Sequence, residues 1–306
     1  MKTAFLFAGQ GSQYVGMGQD FYTQYPSSKA LYDSVQIDFD LKKVCFEGPK
    51  EVLNDTSYTQ SCLLTTSLAM AEALRSEGIQ AQGVAGLSLG EYSALTYAHA
   101  MEVNVSVDVV RKRGRLMADA LPMGSSGMLA VLSGDQERLE QLCCDPMVLE
   151  AGVLDIANYN SPNQTVLSGS LTAINVAKNR LSEQGIRSIP LNVSGAFHSR
   201  LLREASILLE VILSKASISE PIIPVYFNLS GKTENHIKSA LTQQIYSSVQ
   251  WIKTIQNLDR DGFDTFIEIG PGNTLTKLVN AILPNARVFT VGKVNDIDRL
   301  KGELYV

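Results

Sequence analysis

Residues 84–95 read Val84-Ala85-Gly86-Leu87-Ser88-Leu89-Gly90-Glu91-Tyr92-Ser93-Ala94-Leu95. A short apolar run meets a serine bracketed by leucines and glycines, and a helix-forming run follows. Strand, sharp turn and helix is the order of a nucleophile elbow, in which small flanking residues let the chain bend and leave a serine hydroxyl at the tip. The same five-residue pattern also fits an ordinary strand-to-helix turn with an inert serine, so the rest of the chain must decide.

Outward from this stretch, strand-like runs at residues 3–7, 84–87, 265–269 and 288–291 alternate with amphipathic helices. That alternation predicts an α/β fold around a parallel sheet. Between Met123 and Asn192 the texture changes. Strand-like segments at residues 128–132, 154–159, 165–168 and 188–191, with helices through 137–142 and 172–184, read β-α-β-β-α-β, the split ferredoxin-like unit. The expected organisation is therefore a discontinuous hydrolase-like core, residues 1–122 and 194–306, with an inserted ferredoxin-like subdomain, residues 123–193. Pro122-Met123-Gly124-Ser125-Ser126-Gly127 and Ser194-Gly195 are the expected hinges.

Arg113 lies on the apolar stripe Val109, Val110, Leu116, Met117 and Ala120 of a predicted helix, with no carboxylate three or four residues away. Its neighbours differ: Lys112 is spaced to pair with Asp108, and Arg115 with Asp119. A guanidinium on a buried stripe is costly unless something anionic meets it. It either snorkels to water or meets a distant acid, or it is a fork for the carboxylate of a ligand, which its geometry matches bidentately.

Three histidines are candidates for a base. His236 falls in a polar loop, and His99 ends the helix after the elbow as a cap. His198 immediately precedes an amphipathic run carrying Leu201, Leu202, Ala205, Leu208, Leu209 and Ile212. At the positive end of a helix an imidazole is discouraged from protonation and stays available as a base; a plain helix cap is the alternative.

Taken together, Phe7-Ala8-Gly9-Gln10-Gly11-Ser12-Gln13, Gly86 to Leu95, Arg113-Gly114, Gly195-Ala196-Phe197-His198-Ser199, Val249-Gln250-Trp251 and Glu268-Ile269-Gly270-Pro271-Gly272 resemble, in order, the motifs of the malonyl-CoA:acyl carrier protein transacylases. The resemblance runs from residue 3 to about residue 283. It implies that Ser88 takes the malonyl group, that His198 accepts its proton, and that the main-chain carbonyl of Gln250 orients His198. It implies an oxyanion hole from the amides of Gln10 and Leu89, and a malonyl carboxylate held by Arg113. Met117 and Phe197 are implied substrate contacts, Phe197 also limiting room for an α-methyl branch. Asn158 and Asn160, at the end of a small-subdomain strand, are expected to face the cleft, with surface turn residues as the alternative. The residues agree at two points: an elbow puts an oxyanion donor just after its serine, and Gly9 and Gly11 let the Gln10 backbone approach closely.

Two positions depart from the pattern. Leu87 stands where much of the family has histidine, which predicts modulation of the serine. Thr59-Gln60-Ser61 lacks the usual proline after the glutamine, so Gln60, expected to line the pocket, has a less constrained backbone.

Transfer rather than hydrolysis requires that water be kept from the acyl-serine ester. An acyl group without a carboxylate would leave Arg113 buried and unpaired, at a cost of roughly 3–5 kcal/mol. Both half reactions share one site, which implies ping-pong kinetics.

The chain of 306 residues is 45% hydrophobic and 19% charged, an ordinary globular composition with a net charge of −5. That charge argues against nucleic acid as a partner. It also requires a local basic patch for an acidic carrier protein, expected at Lys178, Arg180 and Arg187. The apolar start is too short for a signal peptide and no segment has membrane length. Cys45, Cys62, Cys143 and Cys144 lack metal spacing, which fits reduced thiols in a cytoplasmic protein. No cofactor or metal is expected, malonyl-CoA being a substrate and phosphopantetheine arriving on the carrier, and the expected state is a monomer. The carrier is expected to serve type II fatty acid synthesis, with a polyketide synthase as the alternative. A serine esterase would share the elbow but gives no reason for Arg113, and a non-catalytic carrier-binding subunit gives none for Ser88, His198 and Arg113 together.

Overall fold

The computed structural model describes residues 1–193 and 195–304. In chain order its strands are β1 (Thr3–Phe7), β2 (Gly83–Gly86), β3 (Ser126–Val131), β4 (Leu154–Ser161), β5 (Gln164–Ser170), β6 (Ser188–Pro190), β7 (Val225–Tyr226), β8 (Thr265–Ile269) and β9 (Arg287–Val291). Five of them form a parallel sheet in the order β7-β2-β1-β8-β9. Strand β1 at its centre is wholly buried, with Phe5 and Phe7 in one core cluster and Ala4 and Leu6 in the other. Side chains alternate across a strand, and a parallel sheet is covered on both faces, so every residue of such a strand is apolar or satisfied. Fully burying one phenylalanine of this strand stabilises by roughly 2–3 kcal/mol.

Two helices on one face carry residues of the site. Thr56–Ser76 starts at Asp55, whose side chain accepts from Ser57 N–H at 2.9 Å, and it is buried along most of its length. It packs against Val103–Asp119, the helix that bears Arg113. On that helix Lys112 pairs with Asp108 at 2.6 Å as its spacing predicts. Arg115 does not pair with Asp119. Its partner is Asp38, which also holds Arg111 at 2.9 Å, so a loop acid shared by two arginines wins over the local i,i+4 pair.

Strands β3 to β6 form a second, antiparallel sheet in the order β4-β5-β3-β6, in which each strand and the next one in chain order across a helix are separated by an intervening strand. This is the ferredoxin-like arrangement expected from the sequence. Helices Gln136–Cys143 and Leu171–Glu183 lie close to their expected positions, and a further short helix, Pro146–Ala151, follows the first. Pro122 to Ser125 forms a turn closed by Ser125 N–H on Pro122 O at 3.1 Å. Ser194, half of the second expected hinge, lies outside the described residues.

The small sheet is stitched to the core by main chain. Tyr159 N–H donates to Val249 O at 2.9 Å and Val249 N–H donates to Ala157 O at 2.8 Å, a parallel bridge on the edge of β4. No helix among the described residues is long and apolar enough to cross a membrane.

Candidate active site

The turn after β2 leaves Ser88 with φ of 54°, in the left-handed region that non-glycine residues rarely adopt. The helix Gly90–Tyr97 starts at once, and its first residue must be glycine: a Cβ there would lie 2.1 Å from Phe7 O. Across the turn, a Cβ on Gly9 would lie 2.6 Å from Leu87 O, so glycine is what lets the Gln10 loop approach the elbow.

Ser88 Oγ and His198 Nε2 are 2.7 Å apart. His198 is also in the left-handed region, with φ of 57°, and is 4% exposed. It precedes a single 3-10 turn, Arg200–Leu202, and only then the helix Arg203–Lys215, so it does not sit on a helix terminus as expected. Burial, and then the charge of Arg113, push its pKa down to about 4. The imidazole is therefore neutral at pH 7 and free to accept a proton from Ser88.

The carbonyl that faces His198 Nδ1 belongs to Gln244, at 2.8 Å, and not to Gln250. Gln250 caps the helix Trp251–Arg260, and its carbonyl accepts from Thr254 N–H at 2.9 Å and Thr254 Oγ1 at 3.1 Å. A carbonyl turned into its own helix cannot also meet the imidazole. Gln244 does more: its Oε1 accepts from Arg113 Nη2 at 2.9 Å, and its Nε2 donates to Ser88 O at 2.9 Å.

Arg113 is 1% exposed, and among the described residues no carboxylate forms an ion pair with it. Its Nη1 donates to Gln60 Oε1 at 2.7 Å and its Nη2 to Ser88 Oγ at 3.2 Å, while Nε has no hydrogen-bond partner among the described residues. The guanidinium lies 5.3 Å from the Tyr92 ring centre. Desolvation lowers its pKa from the ordinary value, and Tyr92 and Glu91 oppose that shift. Gln60, expected to line the pocket, is fully buried behind the arginine and holds it.

A cavity of about 440 Å³ opens over Ser88. Its walls include Gln10, Leu89, Arg113, Met117, Phe197 and His198 from the core, and Asn158, Asn160 and Val166 from the small sheet. Asn158 and Asn160 are each 8% exposed, and Asn160 Oδ1 is buried without a hydrogen-bond partner among the described residues. The amides of Gln10 and Leu89, two residues of the cavity wall, donate to no acceptor among the described residues. A wider cleft of about 900 Å³, lined by Glu210, Ser214, His236 and Lys238, holds neither the elbow nor the paired histidine.

Three residues that sequence reasoning missed bind this site together: Gln244, Asn228 and Glu91. Asn228 accepts from Ser88 N–H at 2.6 Å, and its own main-chain N–H donates to Glu91 Oε2 at 2.5 Å. Glu91 is fully buried, which pushes its pKa up to about 8. The one available signal was Glu91, an acid on the first turn of a helix in an otherwise apolar run.

Residues 4–295 match the family model described as acyl transferase domain. A malonyl CoA-acyl carrier protein transacylase of Bacillus subtilis is 41% identical over 296 residues, 95% of this chain and 92% of that protein. The crystal structure of a malonyl CoA-acyl carrier protein transacylase from Clostridium perfringens superposes with a TM-score of 0.96 at 37% identity, covering 100% of this chain and 98% of the other. A malonyl-transacylase solved in complex with a type II PKS acyl-carrier protein gives a TM-score of 0.93 at 32% identity, covering 97% and 98%.

Proposed function

The chain belongs to the malonyl CoA-acyl carrier protein transacylases of the acyl transferase domain family, and from that premise we propose how its residues move a malonyl group from malonyl-CoA to the phosphopantetheine thiol of acyl carrier protein. The observation that carries the reading is a single contact set: Ser88 Oγ lies 2.7 Å from His198 Nε2 and 3.2 Å from Arg113 Nη2.

His198 Nε2 takes the hydroxyl proton as Ser88 Oγ attacks the thioester carbonyl. The oxyanion meets the free amides of Gln10 and Leu89, donors fixed before charge develops. The C–S bond breaks, the proton returns from His198 to the departing thiolate, and malonyl-Ser88 remains. In the second half reaction His198 takes the proton of the carrier thiol, whose sulfur attacks the ester carbonyl, and Ser88 leaves protonated. A thiolate is a good leaving group, so the imidazolium is adequately stabilised by the neutral Gln244 carbonyl without a carboxylate.

Arg113 holds the malonyl carboxylate. Three of its five N–H bonds point to Gln60, Gln244 and Ser88, all uncharged, so the site offers its charge to a ligand. Phe197 and Met117 wall the acyl site, and Asn158 and Asn160 line the approach from the small subdomain.

The carrier docks on the small subdomain through its basic residues. Lys178 and Arg187 are exposed, whereas Arg180 is tied to Asp145 at 3.2 Å, so the first two carry the attraction. Charge reversal at Lys178 and Arg187 should raise the carrier KM and flatten its salt dependence; no change in either would move the docking face elsewhere. The protein works as a cytoplasmic monomer without a cofactor and feeds type II fatty acid synthesis. The solved complex with a polyketide carrier favours polyketide supply as the second reading, and kcat/KM measured for both kinds of carrier separates them.

The direct test is intact mass after brief exposure to malonyl-CoA, beside acetyl-CoA and Ser88→Ala. A malonyl adduct that requires Ser88 and is discharged by acyl carrier protein supports the reading. Free malonate without transfer would make the protein a hydrolase.

A further inference from the structure

The regular pairing of β2 with β7 ends early. Val84 is opposite Val225 and Ala85 is opposite Tyr226, and β7 is only these two residues. On the other side of β2 the ladder continues to the elbow, with Leu87 N–H donating to Phe7 O at 3.1 Å. The groups left facing β7 are the carbonyl of Gly86 and the N–H of Ser88.

Both are met by one side chain. Asn228 Nδ2 donates to Gly86 O at 2.6 Å, and Asn228 Oδ1 accepts from Ser88 N–H at 2.6 Å. In a parallel ladder one residue donates to the carbonyl before its partner and accepts from the N–H after it. The Asn228 amide makes that same pair of bonds around Leu87. It continues the ladder past the end of β7, where the backbone has already turned away.

Asn228 is itself fixed at every polar atom. It is 1% exposed, its N–H donates to Glu91 Oε2 at 2.5 Å, and its carbonyl accepts from Gln250 N–H at 2.8 Å. On the far side of Ser88, Gln244 Nε2 donates to the Ser88 carbonyl at 2.9 Å. Both backbone groups of the left-handed serine are thus held by side-chain amides from distant segments.

We propose that Asn228 is a positioning residue for the transfer reaction: its side-chain amide, seated in the ladder position beside Leu87, holds Ser88 in the left-handed conformation that aims its hydroxyl at His198 and the Leu89 amide into the cavity. Left-handed backbone at a non-glycine residue costs free energy and persists only where the surroundings over-determine it. The bonds around Asn228 supply that determination, and they act on the attacking atom rather than on the malonyl carboxylate. The proposal rests on Ser88 being the nucleophile, and its expected signature is a slower acylation step with unchanged substrate binding.

The test is rapid-quench mass spectrometry of malonyl-Ser88 formation from malonyl-CoA in the full chain, with the rate constant expressed per serine acylated at completion, so that a smaller folded fraction does not enter. Asn228→Ala removes both bonds. Asn228→Asp keeps the shape and the acceptor for Ser88 N–H but places an oxygen against Gly86 O. The expected result is a drop of about 10²-fold for alanine and about 10-fold for aspartate, with KM for malonyl-CoA within about threefold of the wild type, in line with losses for removed preorganised groups. A rate constant within about threefold of wild type in either variant overturns the proposal, and the aspartate result decides if the alanine variant does not fold. A raised KM with an unchanged rate constant also overturns it. If wild-type protein acquires no label on Ser88, the nucleophile reading falls first and takes the clamp with it, an outcome distinct from normal labelling in the variants.

Discussion

Arg113 Nη2 lies 3.2 Å from Ser88 Oγ, and among the described residues no carboxylate pairs with that guanidinium. A buried cation beside the attacking oxygen, held by the Gln60 and Gln244 amides, the Ser88 hydroxyl and the Tyr92 ring face, favours an acyl donor that brings its own negative charge. Arg113→Ala should therefore lower kcat/KM for malonyl-CoA by roughly 10²- to 10⁴-fold, the equivalent of about 3–5 kcal/mol. Acetyl transfer should hold or rise. Equal losses for both donors, measured side by side, would refute the carboxylate role.

The acid limb of the pH profile should lie near 4 rather than 6.5. Burial, followed by the Arg113 charge, pushes His198 down to about 4, so the free enzyme keeps a neutral base well into the acid range. For stability the sign is the same. A folded pKa below the unfolded one gives stabilisation that is complete above about 6.5 and is lost as pH falls through about 4. Arg113→Gln should move the kinetic limb upward; a limb that stays in place would show that the arginine charge does not reach the imidazole.

The side chain of Gln244, rather than that of Gln250, should matter for transfer. Gln244→Ala keeps the main-chain carbonyl on His198 but removes the amide that holds Arg113 and the Ser88 carbonyl. Hydrogen bonds to charged groups contribute about 1.5–3 kcal/mol, so kcat/KM should fall roughly 10- to 100-fold. Gln250→Ala should stay within about twofold of wild type, because it too leaves the main-chain carbonyl in place, and that carbonyl is turned to Thr254 rather than to His198. Comparing the two variants on malonyl-CoA checks the role of the Gln244 side chain, and the reverse ranking would contradict it.

Glu91 gives the opposite pH dependence from His198. Its folded pKa of about 8 lies above the usual carboxylate value because of burial, so its stabilisation is complete below about 4.5 and is lost as pH rises through about 8. Glu91→Gln retains an oxygen that can accept from Asn228 N–H and removes the titration. Wild-type Tm should drop between pH 5 and 8 by several degrees more than that of the variant. Parallel Tm curves would mean that Glu91 does not ionise in this range.

The legible parts of this molecule were those in which residue type carries the chemistry. A serine between glycines, a cation on an apolar stripe and a histidine after Gly195-Ala196-Phe197 could be read directly, and β1 and β8 fell where the apolar runs placed them. The carbonyl that orients His198 was assigned to the wrong residue because any residue has a carbonyl. Only the fold decides that Gln250 turns its own into a helix while Gln244 turns its own to the imidazole. Asn228 escaped notice for a related reason. It lies two residues past a two-residue strand that has no periodicity to read, and its partners Gly86 and Ser88 are far away in the chain. Likewise Arg115 looked local until the loop brought Asp38 to it.

The bridge between β4 and Val249 is made of main-chain atoms, so its strength is indifferent to the identity of the side chains around it. The two halves of the cavity wall, Phe197 and Met117 on one side and Asn158, Asn160 and Val166 on the other, are thus joined through backbone pairing at Asn158. Wall side chains can then be exchanged while the main-chain pairing that joins the two sheets is kept. The scaffold separates evolvability of substrate choice from preservation of the catalytic geometry.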